Sequence, residues 1–353
     1  MNIKSLLLGS AAALAAVSGA QAADAIVAAE PEPMEYVRVC DAFGTGYFYI
    51  PGTETCLKIG GYVRFQVNAD DTPRSIDGDG QNWDARTRAL LNFETKSDTE
   101  LGTLGSYIAV RTWAEGDYDG GSLEIDEAYI TLGGLKVGYM YNYWDSDLSG
   151  ETDDIGSNRV NSIGYQYDGG TFTAGVFVDE LSGLYSETNG SRWLNGSATD
   201  ANYGQSDNVG IEGQISGALG PVTGYLLGAY DVAAEDGSVR AILSADLGPG
   251  TLSGAAVWSS GANAYYDLAE WTVAVQYAAK ITDKLSLTPG FQYWSNIDYD
   301  GEGDFFGGDA YRAGLTLDYK IVDGLTSKVS VQYQDADDGL DQWSGFFRLQ
   351  RTF

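Results

Sequence analysis

Between Asn142 and Val160 the chain reads NYWDSDLSGETDDIGSNRV. Five carboxylates, Asp145, Asp147, Glu151, Asp153 and Asp154, fall in this one stretch, and Arg159 stands at its exit. Four arginines, Arg64, Arg86, Arg88 and Arg111, come earlier, each at the same parity as other polar residues around it. Charged groups of this kind can transfer protons, hold a metal or set up a field. The chain contains no histidine, which removes Ser-His-Asp and Cys-His nucleophile systems and every histidine metal site. Asp77, Asp79 and Gln81 have the first spacings of a calcium loop, but its twelfth position is Arg88 where a bidentate glutamate is required, so an EF-hand is excluded. Loose binding of divalent cations by acidic loops stays open beside the plainer reading, solvated charge. No metal site and no cofactor are expected, and no enzyme, because neither a nucleophile with its base nor an acid pair on one strand can be assembled. The remaining chemistry is electrostatic.

The elements that must position these charges are strands. From Cys56 onward the sequence repeats one theme, roughly ten alternating residues and then a turn or a polar loop. In CLKIGGYVRFQVN, Leu57, Ile59, Val63, Phe65 and Val67 share one face, while Lys58, Arg64, Gln66 and Asn68 share the other. A period of two with this contrast means a strand wetted on one side only. Sixteen such strands are predicted, at about 56–68, 83–97, 101–113, 123–133, 135–143, 160–167, 171–180, 208–217, 221–232, 239–247, 251–259, 270–281, 285–296, 310–321, 325–335 and 343–353. Their connections include tight turns such as LGP, GPG and VDG, and long Asp/Gly-rich loops at 69–82, 181–207 and 297–309.

The basic residues decide which face meets lipid. Thirteen of them, the four arginines above included, fall on the polar parity, and inside a strand only Arg351, near a rim, falls on the apolar one. A charge facing lipid costs about 2–4 kcal/mol at the bilayer midplane and little near the interface. Tyr and Trp on the apolar parity gather near strand ends, for example Tyr165, Tyr167, Trp258, Trp271, Tyr319, Tyr333 and Trp343, as two girdles at the headgroups would. The fold class expected is therefore all-β, a sixteen-stranded antiparallel transmembrane β-barrel closed by pairing 343–353 with 56–68. A large soluble sandwich or propeller is the alternative, and no blade-like repeat supports it. A mean hydropathy of −0.19 is compatible with a barrel, since only alternate residues face lipid. The formal net charge of −30 excludes nucleic acid as a partner.

The N-terminal part is organised differently. Residues 1–22, with Lys4, SLLLGSAAALAAV and the A-Q-A at 20–22, form an expected signal peptide. A buried or spanning N-terminal helix is the alternative, but the apolar run is shorter than the ~20 residues a span needs. Residues 23–55 fit no full strand and form an expected N-terminal segment before a barrel at 56–353. In an exported chain a Cys40–Cys56 disulfide is the default, with two free buried thiols the alternative. The run YVRVCDAFGTGYFYIPGTETC reads as a small hairpin placed near the periplasmic rim or tucked inside the barrel.

Two long motifs, CDAFGTGYFYIPGTETCLKIGGYVR and IDEAYITLGGLKVGYMYNYWD, together with the final Phe353, resemble the general porins of alphaproteobacteria. The resemblance covers essentially the whole mature chain. It implies an outer-membrane barrel of sixteen strands, assembled as a homotrimer, whose third long loop folds into the lumen. Here that loop is 142–160. Its acids would then face Arg64, Arg86, Arg88 and Arg111 across the narrowest section and set a transverse field there. Phe353 would be the terminal aromatic that the outer-membrane assembly machinery recognises. The implied function is passive diffusion of small polar solutes and ions. Acidic loops at the mouth, with membrane lipid and lipopolysaccharide around them, predict mild cation selectivity. A channel specific for oligosaccharides would want an aromatic ladder along the lumen, whereas the inward aromatics Tyr62, Trp144, Phe177 and Trp294 are scattered. An adhesive role for the 181–207 loop also stays open.

Overall fold

The computed structural model describes residues 38–71, 83–115, 123–182, 184, 207–337 and 341–353. The expected signal peptide, the start of the N-terminal segment and most of the 181–207 loop lie outside the described residues. The chain divides into two units, Met1–Arg38 and Val39–Phe353, and the barrel with its hairpin is the second.

Sixteen long strands follow one another as neighbours: β1 Cys56–Asp70, β2 Trp83–Thr99, β3 Gly102–Glu115, β4 Glu124–Leu132, β5 Leu135–Tyr141, β6 Arg159–Asp168, β7 Phe172–Glu180 and β8 Val209–Leu219, then β9 Val222–Asp231, β10 Asp236–Leu247, β11 Gly250–Ser259, β12 Trp271–Lys280, β13 Leu285–Ser295, β14 Asp309–Val322, β15 Leu325–Ala336 and β16 Asp341–Thr352. Every pairing is antiparallel, and β16 closes on β1 from Ser344↔Asp70 to Thr352↔Tyr62. The terminal Phe353 extends that seam, exchanging two backbone hydrogen bonds with Gly61. Closure leaves no open strand edge for the membrane to meet, as a wall in lipid requires.

Side-chain exposure alternates as the sequence requires. Val63, Phe65, Leu91, Leu315 and Phe347 are exposed on the outer face, whereas Gln66, Arg240, Gln292 and Thr316 on the inner face are buried. On β13–β16 the outward rings of Phe291, Tyr311, Tyr333 and Trp343 run in an unbroken series, with Tyr333 and Trp343 5.0 Å apart. Tyr319 lies eight residues from Tyr311 on the same strand. That is about 26 Å along the strand, or about 20 Å of height at a tilt of about 40°. The two rings therefore bracket a hydrocarbon-sized belt. Arg351, the outward exception, reaches the carbonyl of Asp323 at the short-turn rim, where a charge costs little.

The Cys40–Cys56 disulfide is present, with Cα atoms 6.0 Å apart. The two-residue strand Phe48–Tyr49 pairs with Cys56 and Leu57 at the start of β1. Tyr47 is buried, and the inward amines of Lys58 and Lys96 stand 5.6 and 5.3 Å from its ring. Phe43 of the hairpin shares a cavity with Glu94, Lys96, Tyr107 and Tyr129. The hairpin thus sits at the short-turn end, with its rings turned toward the lumen.

Candidate functional site

The segment between β5 and β6 does not stand out from the rim. It lies along the inner wall of β10–β16 and is tied to it residue by residue. Arg240 on β10 is buried and donates to three carbonyls of the segment, Tyr143 and Trp144 at 2.7 Å and Ile155 at 3.1 Å. Gln292 on β13 accepts from the amide of Asp154 at 2.6 Å and donates back to its carbonyl at 2.9 Å. Arg312 on β14 reaches the carbonyl of Thr152, and Gln332 on β15 that of Glu151. Irregular backbone inside a barrel needs such partners because no ladder supplies them. Under the segment, Gly290 and Gly314 are direct cross-strand partners on β13 and β14. A Cβ on either would lie 2.6 Å from the hydroxyl oxygen of Thr152, so the glycine pair is the socket that lets the loop touch the wall.

A second inward loop covers the first. Residues 260–270, between β11 and β12, bury Tyr265 and Tyr266 against Trp144, with ring centroids 6.2 and 6.3 Å away. Asn263 fixes this loop. Its amide donates to Ser238, Ser259 and the carbonyl of Gly261, each at 2.9 Å, and its oxygen accepts from the amides of Tyr265 and Tyr266. Asn158 joins the two loops by donating to the carbonyl of Ala264 at 2.8 Å. At the contact, Gly156 has φ +101° and a Cβ there would lie 2.9 Å from the Trp144 ring, so only glycine suits it.

The five acids of the segment are not equivalent. Glu151 is paired with Lys328 at 2.7 Å and Arg348 at 3.3 Å. Asp153 turns into the wall, accepting from Gln276 and from the amide of Leu148. Asp154 is held by Gln292 through its backbone. Asp145 accepts from Ser157 and is exposed, as is Asp147. Asp147 opens on the lumen but is hemmed in by the loop and wall around it; this partial loss of bulk water, then the charges of Asp153 and Asp145, push its carboxyl up to about 7, against the pull of Arg240. Asp145 is raised for the same first reason, with Ser157 and Arg159 opposing.

The four arginines all point inward. Arg64 donates to Gln350 at 2.8 Å and lies 4.9 Å from the Tyr62 ring. Arg86 and Arg88 stack over Trp113 at 4.3 and 5.0 Å. Arg111 is paired with Glu124 and with Asp126 at 2.7 Å. Asp126 also holds Arg159 at 2.6 Å and lies 3.8 Å from Arg88. Its position comes from a bulge. Ala109 pairs with Glu127 and Val110 with Ile125, leaving Asp126 as the extra residue on β4. The two sides of the bulge are out of phase, so Glu124, Asp126 and Glu127 all serve the inner face.

Sequence reasoning thus named the acidic segment and the first arginines, and missed Asp126, Arg240, Lys328, Arg348 and the 260–270 loop. The threefold pairing of Asp126 with Arg88, Arg111 and Arg159 depends on the bulge, which alternation does not register. Arg240, Arg312, Lys328 and Arg348 are among the thirteen basic residues on the polar parity, and only the path of the loop reveals what they hold.

A family profile described as Porin subfamily matches residues 24–345. The chain is 50% identical over 352 residues to outer membrane protein IIIA of Rhizobium leguminosarum bv. viciae, covering 98% of this chain and 93% of that protein. It is 36% identical over 392 residues to porin Omp2a of Brucella suis biovar 1 (strain 1330), covering both in full. Its backbone is similar to the outer membrane channel DcaP of Acinetobacter baumannii, with a TM-score of 0.65, 16% identity, and coverage of 86% of this chain and 99% of that one. A closed sixteen-stranded wall, a wet lumen crossed by an anchored loop, and these relatives together make the chain a member of the porin family, an outer-membrane channel protein.

Proposed function

We propose that this channel passes small hydrophilic solutes and ions by passive diffusion, sorts them at the section between the 142–158 segment and the β1–β3 wall, and weakly favours cations. The observation that carries the reading is the ladder of inner-wall bonds from Arg240 to Gln332, which holds the loop across the lumen while leaving Asp145 and Asp147 exposed. On the other side Arg64, Arg86 and Arg88 supply positive charge. The opposed signs orient water and dipolar solutes, so an apolar solute must disturb an ordered layer and crosses slowly. Among the described residues the recesses along the lumen are open, which suits conduction rather than tight binding. These features and the porin relatives support a channel rather than an enzyme.

Cation preference follows from the acids of the long-loop rim, among them Asp300, Glu302, Asp304 and Asp309. A negative mouth concentrates cations, and salt screens it over about 10 Å at 0.1 M. Reversal potentials across a planar bilayer under a KCl gradient test this. Cation preference at low salt that fades at high salt is expected, and anion preference at low salt would refute it. Trp144 and Trp294 are fully buried and Phe177 nearly so, so three of the four inward aromatics named from the sequence are not offered to a sugar chain. Liposome swelling should therefore sort sugars by size without saturating for one of them.

The homotrimer is part of this proposal. The outer face of β2 and β3 interrupts its apolar belt with Thr87, Thr95, Ser106 and Thr112, and Thr95 and Ser106 hydrogen-bond at 2.6 Å. Hydroxyls fit a wall covered by another subunit better than one covered by lipid chains. Chemical cross-linking in detergent should stop at three chains; a ladder ending at one would remove the assignment.

A further inference from the structure

Beneath the tip of the 142–158 segment the inner wall of β14, β15, β16 and β1 encloses a recess of about 170 Å³, lined by Arg64, Asp318, Thr326, Lys328, Arg348 and Gln350. The register brings its three cations together. Lys328 is directly opposite Arg348, Arg348 opposite Gln66, and Gln350 opposite Arg64. Two glutamines hold the guanidiniums reciprocally across the closing seam. Gln66 accepts from Nε of Arg348 at 2.7 Å, and Gln350 accepts from Nε of Arg64 at 2.8 Å. Tethering each guanidinium through Nε fixes its plane and leaves the paired Nη edge to meet an oxyanion.

The charge balance is unusual for a wall. Arg64 is also directly opposite Arg88, and like charges facing across a ladder are destabilising. Among the described residues Arg64 meets Gln350 and the Tyr62 ring but no carboxylate. Lys328 has Asp318 at 3.5 Å. The other anion present is Glu151, whose Oε1 serves both Lys328 and Arg348. Glu151 comes from the loop rather than from the wall, and it occupies the place a mobile anion would take.

We propose that this recess is a transit site for small oxyanions, in which the phosphate or carboxylate group of a passing solute takes over Lys328 and Arg348 from Glu151 and gains Arg64. The proposal rests on the channel reading above and adds to it a solute class and a location. Binding is weak, since the recess is open to the lumen and the displaced Glu151 competes for the same donors. It coexists with cation preference at the mouth because the mouth acids stand at the long-loop rim, whereas the recess lies below them, beside the tip of the segment.

The test is single-channel recording of the refolded full chain in KCl at constant ionic strength, with chloride replaced stepwise by inorganic phosphate at pH 7.5. The current should fall with saturation as phosphate rises, beyond the change in bulk conductivity. Lys328→Gln and Arg348→Gln should each raise the half-effect concentration about tenfold, the loss expected for one charge-assisted bond. Glu151→Gln should lower it by removing the internal competitor. Current that tracks bulk conductivity alone in the unmodified protein overturns the site while leaving the channel intact. Saturation unchanged in both cationic variants also overturns it, by placing the binding elsewhere. Absence of any conductance step in KCl overturns the channel reading itself.

Discussion

Asp126 shows how much one extra residue in a strand can change. Without the bulge on β4, alternation would turn Glu127 and Tyr129 to lipid; with it, Asp126 becomes the shared counter-charge of Arg88, Arg111 and Arg159. The basic wall is therefore weaker on its β3 side than on its β1 side. Asp126→Asn should strengthen it by about one unit charge. At about 7 Å through water that is about 0.6 kcal/mol, or a two- to threefold shift of permeability ratio toward anions at low salt. Reversal potentials measure it, and an unchanged ratio would show that Asp126 only orders the arginines. Asp147 offers a second test at this scale. Its surroundings push its carboxyl up to about 7, so the fraction of Asp147 that is charged should fall as pH drops through that range. Cation preference should decline between pH 8 and pH 6, and Asp147→Asn should remove most of this step. A flat profile in the unmodified protein would assign the raised group elsewhere.

At the scale of elements, the strands were legible and the loops were not. All sixteen observed strands begin and end within three residues of the ranges read from alternation. Periodicity suffices there because every strand has one wet and one greasy side. The inward path of 142–158 came from resemblance, since nothing in its composition separates a loop bound to a wall from one in solvent. Its supports do leave traces: glycine in mid-strand at Gly290 and Gly314, and inward polar residues at Arg240, Gln276 and Gln292. The 260–270 loop left less, because Tyr265 and Tyr266 in a short connection read as ordinary surface. Arg240→Gln should free the root of the loop. Three carbonyls lose donors worth about 1.5–3 kcal/mol each, several times thermal energy, so single-channel current should become larger and noisier while the barrel still folds. Gly314→Val should act in the opposite direction, lifting Thr152 off the wall and lowering the current. Cys56→Ser opens a bridge between residues 16 apart, which removes about 3 kcal/mol in the chain-entropy model. Resistance to heat in detergent should fall, and a variant as resistant as the parent would show that the hairpin holds by packing alone.

For the whole molecule, one physical rule accounts for most of what is seen. In the described strands basic side chains are turned to the lumen unless they lie at a rim, as Arg351 does. Rings sit at two heights, and the last residue joins the first strand through Gly61. The same rule explains why a chain with mean hydropathy of −0.19 can live in a membrane, and why its charges collect where solutes must pass. It does not by itself fix how wide the passage is, which depends on two loops that alternation cannot see. The most direct measurement is therefore the conductance of the refolded protein in a planar bilayer, across a range of KCl concentrations. A water-filled passage predicts discrete ohmic steps, grouped in threes for a trimer, that rise in proportion to bulk conductivity at high salt. A bilayer that stays silent, or steps that saturate at low salt as in a carrier, would contradict it.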